Sequence, residues 1–218
     1  MGKWTSTALA FAATLAVPCA AANAQQVSLG LKGGVNSATM TLAQQGIDVG
    51  RRTGFHAGAI LGVQATPRFS FQLQGLYSQR GYRLTTTGSD ATAKGDYLQI
   101  PLLAAFELPV AAASPVALQI FFGPTVALEV HCQVAGTLDG TPVAASCDDL
   151  GVQRRKYDYG VVLGGGVGYH LQAATVFLTA AYDYGLRDLD TEEASTNTLK
   201  HRTVAFSLGF LIPVFGRQ

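Results

Sequence analysis

The sequence predicts an all-β protein, an eight-stranded antiparallel up-and-down transmembrane β-barrel, and three observations predict it. Apolar and polar residues alternate with a period of two in eight segments, as in strands with one apolar face. The connections between these segments alternate between short and long. Past residue 26, no apolar run approaches the roughly 18 residues that a membrane-spanning helix needs. Strands must therefore carry most of the 48% apolar content.

The amino-terminal segment has the features of a secretory signal peptide. Lys3 supplies a positive charge, residues 8–22 are apolar and small, and Ala22-Asn23-Ala24 is typical of a cleavage site. We therefore expect export through the Sec pathway and cleavage after Ala24. The expected division is a signal peptide at residues 1–24 and a barrel domain at residues 25–218.

Each alternating segment presents an apolar set on one face. In the fifth, which is the clearest, Val116, Leu118 and Ile120 alternate with polar residues such as Gln119. Because lipid surrounds a membrane barrel and water or side chains fill it, we expect the apolar sets to face lipid. The eight segments are residues 27–36, 55–64, 69–78, 98–108, 116–131, 157–170, 175–187 and 203–213.

The connections predict the orientation in the membrane. Three are short, at residues 66–68, 109–115 and 171–174, and four are longer and polar, at residues 37–52, 84–95, 131–156 and 188–202. Long loops of outer-membrane barrels lie outside the cell. We expect tyrosines near the loop-side ends to form an aromatic girdle: Tyr77, Tyr97, Tyr157, Tyr159, Tyr182 and Tyr184.

Composition excludes several classes of function. The net charge is +1 and 13% of residues are charged, whereas nucleic-acid binding needs a concentrated excess of Lys and Arg. The glycine-rich run at residues 163–168 lies in an alternating strand with no helix pattern after it, so it does not indicate nucleotide binding. The sequence predicts no nucleic-acid partner, no cofactor and no metal site.

Two cysteines remain once the signal peptide is removed, Cys132 and Cys147. A cysteine pair in an exported chain predicts a disulfide. Closing a loop of roughly 15 residues stabilises a protein by roughly 3 kcal/mol in the chain-entropy model. We expect the bridge to restrain the long connection in which both cysteines lie.

Several segments resemble the outer-membrane β-barrel domain family that includes PorT-like proteins. The resemblance implies an outer-membrane barrel without a common enzymatic reaction, and it brings no catalytic residues. Barrel-assembly machinery is an expected partner, although Phe215 is followed by Gly216-Arg217-Gln218 instead of ending the chain. The segments are GLKGGVN (residues 30–36), GFHAG (54–58), LYSQRG (76–81), DYLQIPLL (96–103), GP (123–124), LGGGV (163–167), YDYGL (182–186) and FSLGF (206–210).

Polar residues on the opposite face are expected inside the barrel, because side chains fill the interior of an eight-stranded barrel. Buried charges need partners, so we expect Lys32 to pair with Glu107 or Asp183. The predicted interior network contains Lys32, Glu107, Glu129, Asp183 and Arg187, together with Gln72, Gln74, Gln99 and Gln119.

The sequence favours a non-enzymatic outer-membrane protein with a structural or surface-interaction role through its long loops. Lipopolysaccharide is an expected partner, because Arg51-Arg52 and residues 154–156 flank the long-loop rim. The external ligand is not readable. Three alternatives remain open: a narrow ion or small-solute pore, an envelope lipid hydrolase, and a soluble periplasmic lipocalin-like barrel with its apolar face inward.

The histidines bear on the hydrolase alternative, since such enzymes use a histidine with a serine and a carboxylate. No spacing in the sequence places a histidine beside a particular serine. We therefore expect the four to lie at the surface or in the girdle, with the last in a long loop: His56, His131, His170 and His201.

Overall fold

A computed structural model describes residues 26–41, 48–86, 89–138, 141–149, 156–186 and 200–216. The predicted signal peptide, with its cleavage site after Ala24, and the predicted interior residue Arg187 lie outside the described residues. No helix in the described part of the chain is long and apolar enough to cross a membrane.

The described residues form nine strands, eight of which close into a ring. Around the ring the order is β4-β3-β2-β1-β9-β8-β7-β5, and β5 pairs with β4 to close it. Every pairing is antiparallel, so the predicted eight-stranded up-and-down barrel is confirmed. The strands are β1 (Gln26–Thr41), β2 (Asp48–Thr66), β3 (Phe69–Thr86), β4 (Ser89–Pro109), β5 (Val116–Leu138), β6 (Thr141–Ser146), β7 (Tyr157–His170), β8 (Thr175–Gly185) and β9 (Lys200–Phe215).

The apolar alternate residues point outward, as predicted. Leu102 is 50% exposed and Phe122 is 63% exposed, and the other outward apolar residues follow the same pattern around the ring. A soluble protein does not expose a continuous apolar band of this kind, whereas a membrane barrel places it against lipid. The lipocalin-like alternative, which requires the apolar face inside, is therefore wrong.

The aromatic girdle is confirmed only in part. Tyr77, Tyr157, Tyr159 and Tyr182 are exposed on the outer face. Tyr97 is instead buried inside the barrel, because it lies two residues from the inward-facing Gln99 and alternate residues of a strand share a face.

The strands extend past the rim on the long-loop side. Residues 84–95, predicted to be a polar loop, are mostly strand, and the pairing of β3 with β4 continues to Thr86 and Ser89. The pairing of β5 with β7 ends at Leu128. Beyond that residue, β5 continues to Leu138 and pairs with β6 instead. We call the sheet formed by residues 81–86, 89–95, 132–138 and 141–146 the protruding sheet.

Candidate functional site

A buried ion pair lies inside the barrel toward the long-loop end. The Arg80 guanidinium contacts the Asp183 carboxylate at 2.6 Å, with side chains 3% and 10% exposed. The Gln99 amide donates to the same carboxylate at 2.7 Å and to the Thr125 hydroxyl at 3.1 Å. Three strands (β3, β4 and β8) thus meet at one carboxylate, which satisfies charges that are costly to bury alone.

Arg80 was not among the predicted interior residues, although a signal for it exists. It continues the even-numbered face of β3, on which Gln72 and Gln74 are buried, and alternation alone places it inside. Its partner Asp183, one of the predicted interior residues, is 8% exposed.

The predicted ion pair of Lys32 with Glu107 or Asp183 does not form among the described residues. The Lys32 ammonium donates to the Gln74 amide oxygen at 3.0 Å. Asp183 is occupied by Arg80, and Glu107 lies toward the short turns, where it accepts from Gln119 at 3.3 Å. The Glu107 carboxylate also lies 3.6 Å from the ring of His170.

Glu129 lies at the opposite end of the barrel from Glu107. It accepts a hydrogen bond from the Tyr97 hydroxyl at 3.2 Å. The edge of the Tyr97 ring also meets the His201 ring, with 5.9 Å between centroids. These contacts place aromatic and charged groups together just below the long-loop rim.

Two histidines are buried, contrary to the predicted surface positions. His201 belongs to β9 and not to a loop, and His56 contacts the Ser207 hydroxyl at 2.8 Å. Both His56 and Ser207 pair with Gly34 of β1, so the strand between them carries no side chain to separate them. Sequence spacing gives no sign of this contact, since the residues are 151 positions apart.

The His56 and Ser207 pair lacks the other parts of a hydrolase. Nδ1 of His56 has no hydrogen-bond partner in the described part of the chain, so no carboxylate orients the ring. The cavity beside it holds about 40 Å³, which is room for a few water molecules and not for a lipid. Among the described residues, no group of His, Cys, Asp or Glu could hold a metal ion.

An apolar layer lies below the polar layer inside the barrel. Leu103, Phe121 and Val162 are buried against one another. The Phe121 ring occupies the space above Gly164, where an added Cβ would lie 2.4 Å from the ring. On β4 the order from the long-loop end is Gln99, Leu103 and then Glu107, so the interior has a polar, an apolar and a second polar layer.

The disulfide predicted between Cys132 and Cys147 is present. The two Cα atoms are 5.5 Å apart, and the amide of Cys147 also donates to the Cys132 carbonyl. The bridge closes the base of the β5–β6 hairpin, at the point where β6 replaces β7 as the neighbour of β5. Pro142 on β6 has no amide proton to donate, which discourages further strand pairing at this edge.

Loss of the disulfide is expected to loosen the hairpin and not the barrel. Replacing both cysteines with alanine removes a constraint on a 15-residue separation, worth about 3 kcal/mol in the chain-entropy model. Protease added to intact cells should then cut residues 133–146. The remaining protein should still run at different positions on a gel before and after boiling, as we expect of a closed barrel. Equal protease resistance of the variant and the unaltered protein would contradict a stabilising role for the bridge.

The geometry of a closed barrel agrees with the comparison to known families. The family model for the outer membrane protein β-barrel domain matches residues 23–191. The chain belongs to this family. It is therefore an outer-membrane β-barrel protein of a bacterial cell, and export through the Sec pathway follows from that location.

The same fold is seen in a solved structure. The outer membrane protein OprG of Pseudomonas aeruginosa is similar with a TM-score of 0.54 at 12% identity, covering 88% of this chain and 98% of that one. Neisserial surface protein A is similar with a TM-score of 0.48 at 15% identity, covering 85% and 97%. No curated protein matches the sequence.

Proposed function

We propose that this outer-membrane barrel is a non-enzymatic surface-interaction protein and that the protruding sheet is its interaction surface. One observation carries the proposal: β5 continues from Leu128, the last residue paired with β7, to Leu138. At about 3.4 Å per residue, this extension measures about 34 Å along the strand. A sheet of that length, closed at its base by a disulfide, is a rigid surface presented beyond the membrane.

The closed interior supports an interaction role over a pore. The Arg80–Asp183 pair and the apolar layer around Phe121 lie in series along the barrel axis. Beside the ion pair the free volume is about 40 Å³. A larger depression of about 370 Å³, lined by Gln72, Glu107 and His170, lies on the short-turn side of the apolar layer. A conducting path would need both layers to rearrange.

An epitope tag tests where the protruding sheet lies. A tag inserted between residues 139 and 140, which separate β5 from β6, should be labelled by antibody on intact cells. The matched control carries the same tag after Ala112, in the short turn between β4 and β5, and should be labelled only after the outer membrane is permeabilised. The reverse labelling pattern would contradict the proposed surface role.

Conductance of the purified protein in planar lipid bilayers tests the second part of the proposal. We expect no discrete current steps from the unaltered protein, because charged and apolar side chains fill the interior. Reproducible steps of a single size would contradict a closed barrel and would favour the narrow-pore alternative.

A further inference from the structure

A basic depression lies on the protruding sheet and the adjoining end of β2. It has a volume of about 540 Å³ and is lined by Arg51, Arg52, Arg83 and Lys94 together with Thr53, Thr92, Ala135 and Gly136. The described residues that line it include four cations and no carboxylate. The depression therefore presents a concentrated positive charge at the surface.

Strand register places much of this depression on one face. Arg83 pairs with Thr92 of β4, and Thr92 pairs with Ala135 of β5. Paired residues of antiparallel strands share a face, and Lys94 is two residues along from Thr92, so it shares that face too.

This face is the continuation of the lipid-facing side of the barrel. The register between β3 and β4 does not shift between the Tyr77–Leu98 pair and the Arg83–Thr92 pair. Tyr77 and Leu98 are exposed to lipid. Since alternate residues share a face, Arg83 and Lys94 point to the outside of the barrel and not into its mouth.

Lys94, the cation of the depression that is nearest to Leu98 along β4, lies near the outer edge of the polar layer of the outer leaflet. Lys94 is four residues beyond the lipid-facing Leu98 on the same strand. With a rise of about 3.3 Å per residue and the usual strand tilt, this is about 10 Å above the hydrocarbon boundary. Each headgroup layer is about 5–8 Å thick, because a bilayer of about 40–45 Å has a hydrocarbon core of about 30 Å, so the depression faces the outermost polar groups of the leaflet.

We propose that this depression binds the phosphate groups of lipopolysaccharide in the outer leaflet. Arginine suits this ligand because its guanidinium forms paired hydrogen bonds with phosphate oxygens, and Lys94 adds a point charge. The inference rests on the proposed surface position of the protruding sheet and names a partner for it.

Binding of lipid A to the full-length purified protein in zwitterionic detergent tests the proposal. The probe is fluorescently labelled lipid A with two phosphates, and its dissociation constant is measured by anisotropy. The test variant is Arg83→Gln/Lys94→Gln, because these two cations share the outward face. The matched control, Arg68→Gln/Arg202→Gln, also removes two positive charges but none from the depression.

The test variant should bind lipid A about 25-fold more weakly, since each cation near an anionic lipid surface contributes about fivefold. The control variant should stay within about threefold of the unaltered protein. For the unaltered protein, removal of both phosphates from lipid A should abolish binding, and added salt should weaken it. This comparison of lipid A with and without phosphates uses only the unaltered protein, so it does not depend on the folding of any variant.

Two results would overturn the proposal. One is equal affinity of the unaltered protein for lipid A with and without phosphates. The other is tighter binding to a soluble sulfated oligosaccharide than to lipid A, which would assign the depression to a glycan. If the tag between residues 139 and 140 is surface-labelled but lipid A binding fails, the surface role stands and only the assigned partner is wrong.

Discussion

Replacing Arg80 with alanine is expected to lower the free energy of unfolding by about 3–5 kcal/mol, because it leaves the buried Asp183 carboxylate without its cation. The Gln99 amide, at 2.7 Å from Asp183, remains but carries no charge. The measurement is a urea titration of the protein in phospholipid vesicles, with the folded fraction read from gel mobility. The only tryptophan, Trp4, lies in the predicted signal peptide, so tryptophan fluorescence is unsuitable.

Two matched variants show whether burial causes the effect. Lys156→Ala breaks an exposed pair with Asp148, whose side chains are 58% and 65% exposed, and should cost less than about 1 kcal/mol. The double variant Arg80→Leu/Asp183→Leu removes both buried charges and should regain most of the stability lost in Arg80→Ala. If Arg80→Ala unfolds like the unaltered protein, the buried pair does not stabilise the barrel.

Replacing Leu102 with arginine is expected to lower the free energy of unfolding by about 2–4 kcal/mol, the cost of an arginine facing lipid at the middle of the membrane. Leu102 lies near the middle of the outward apolar residues of β4, which run from Leu98 to Leu108, and is 50% exposed. The same urea titration in vesicles measures the loss.

Leu171→Arg is the control for depth. Leu171 is 53% exposed, about as much as Leu102, but lies in the short turn between β7 and β8. At the membrane interface the same substitution should cost about 0–1 kcal/mol. Equal costs at the two positions would mean that lipid does not surround residue 102, and the assignment of the outer face would be wrong.

Much of the fold could be predicted because each strand carries its own face pattern. Residues such as Leu118 and Ile120 alternate with Gln119, and this local period follows directly from strand geometry. Short and long connections then order the strands up and down. The strand ends were predicted less well, because the protruding sheet at residues 84–95 lacks the apolar alternation that lipid contact requires.

The sequence indicates which side chains point into the barrel, but not which of them contact one another. Asp183 was among the predicted interior residues, and its partner Arg80 is 103 positions away. Lys32 was expected to find a carboxylate and instead contacts Gln74. Which inward side chains meet depends on the stagger of strands around the closed ring, and each strand's alternation is unchanged by a stagger of two residues.

By itself the sequence determined the all-β class, the membrane-facing surfaces and the cysteine pair, because period-two alternation and composition are local properties. Only the tertiary structure decided that Arg80 meets Asp183, that His56 meets Ser207, and that Arg51, Arg83 and Lys94 share one depression. The physical reason is ring closure. Backbone hydrogen bonds fix the register of each strand against its neighbours, and that register brings together side chains from distant parts of the chain.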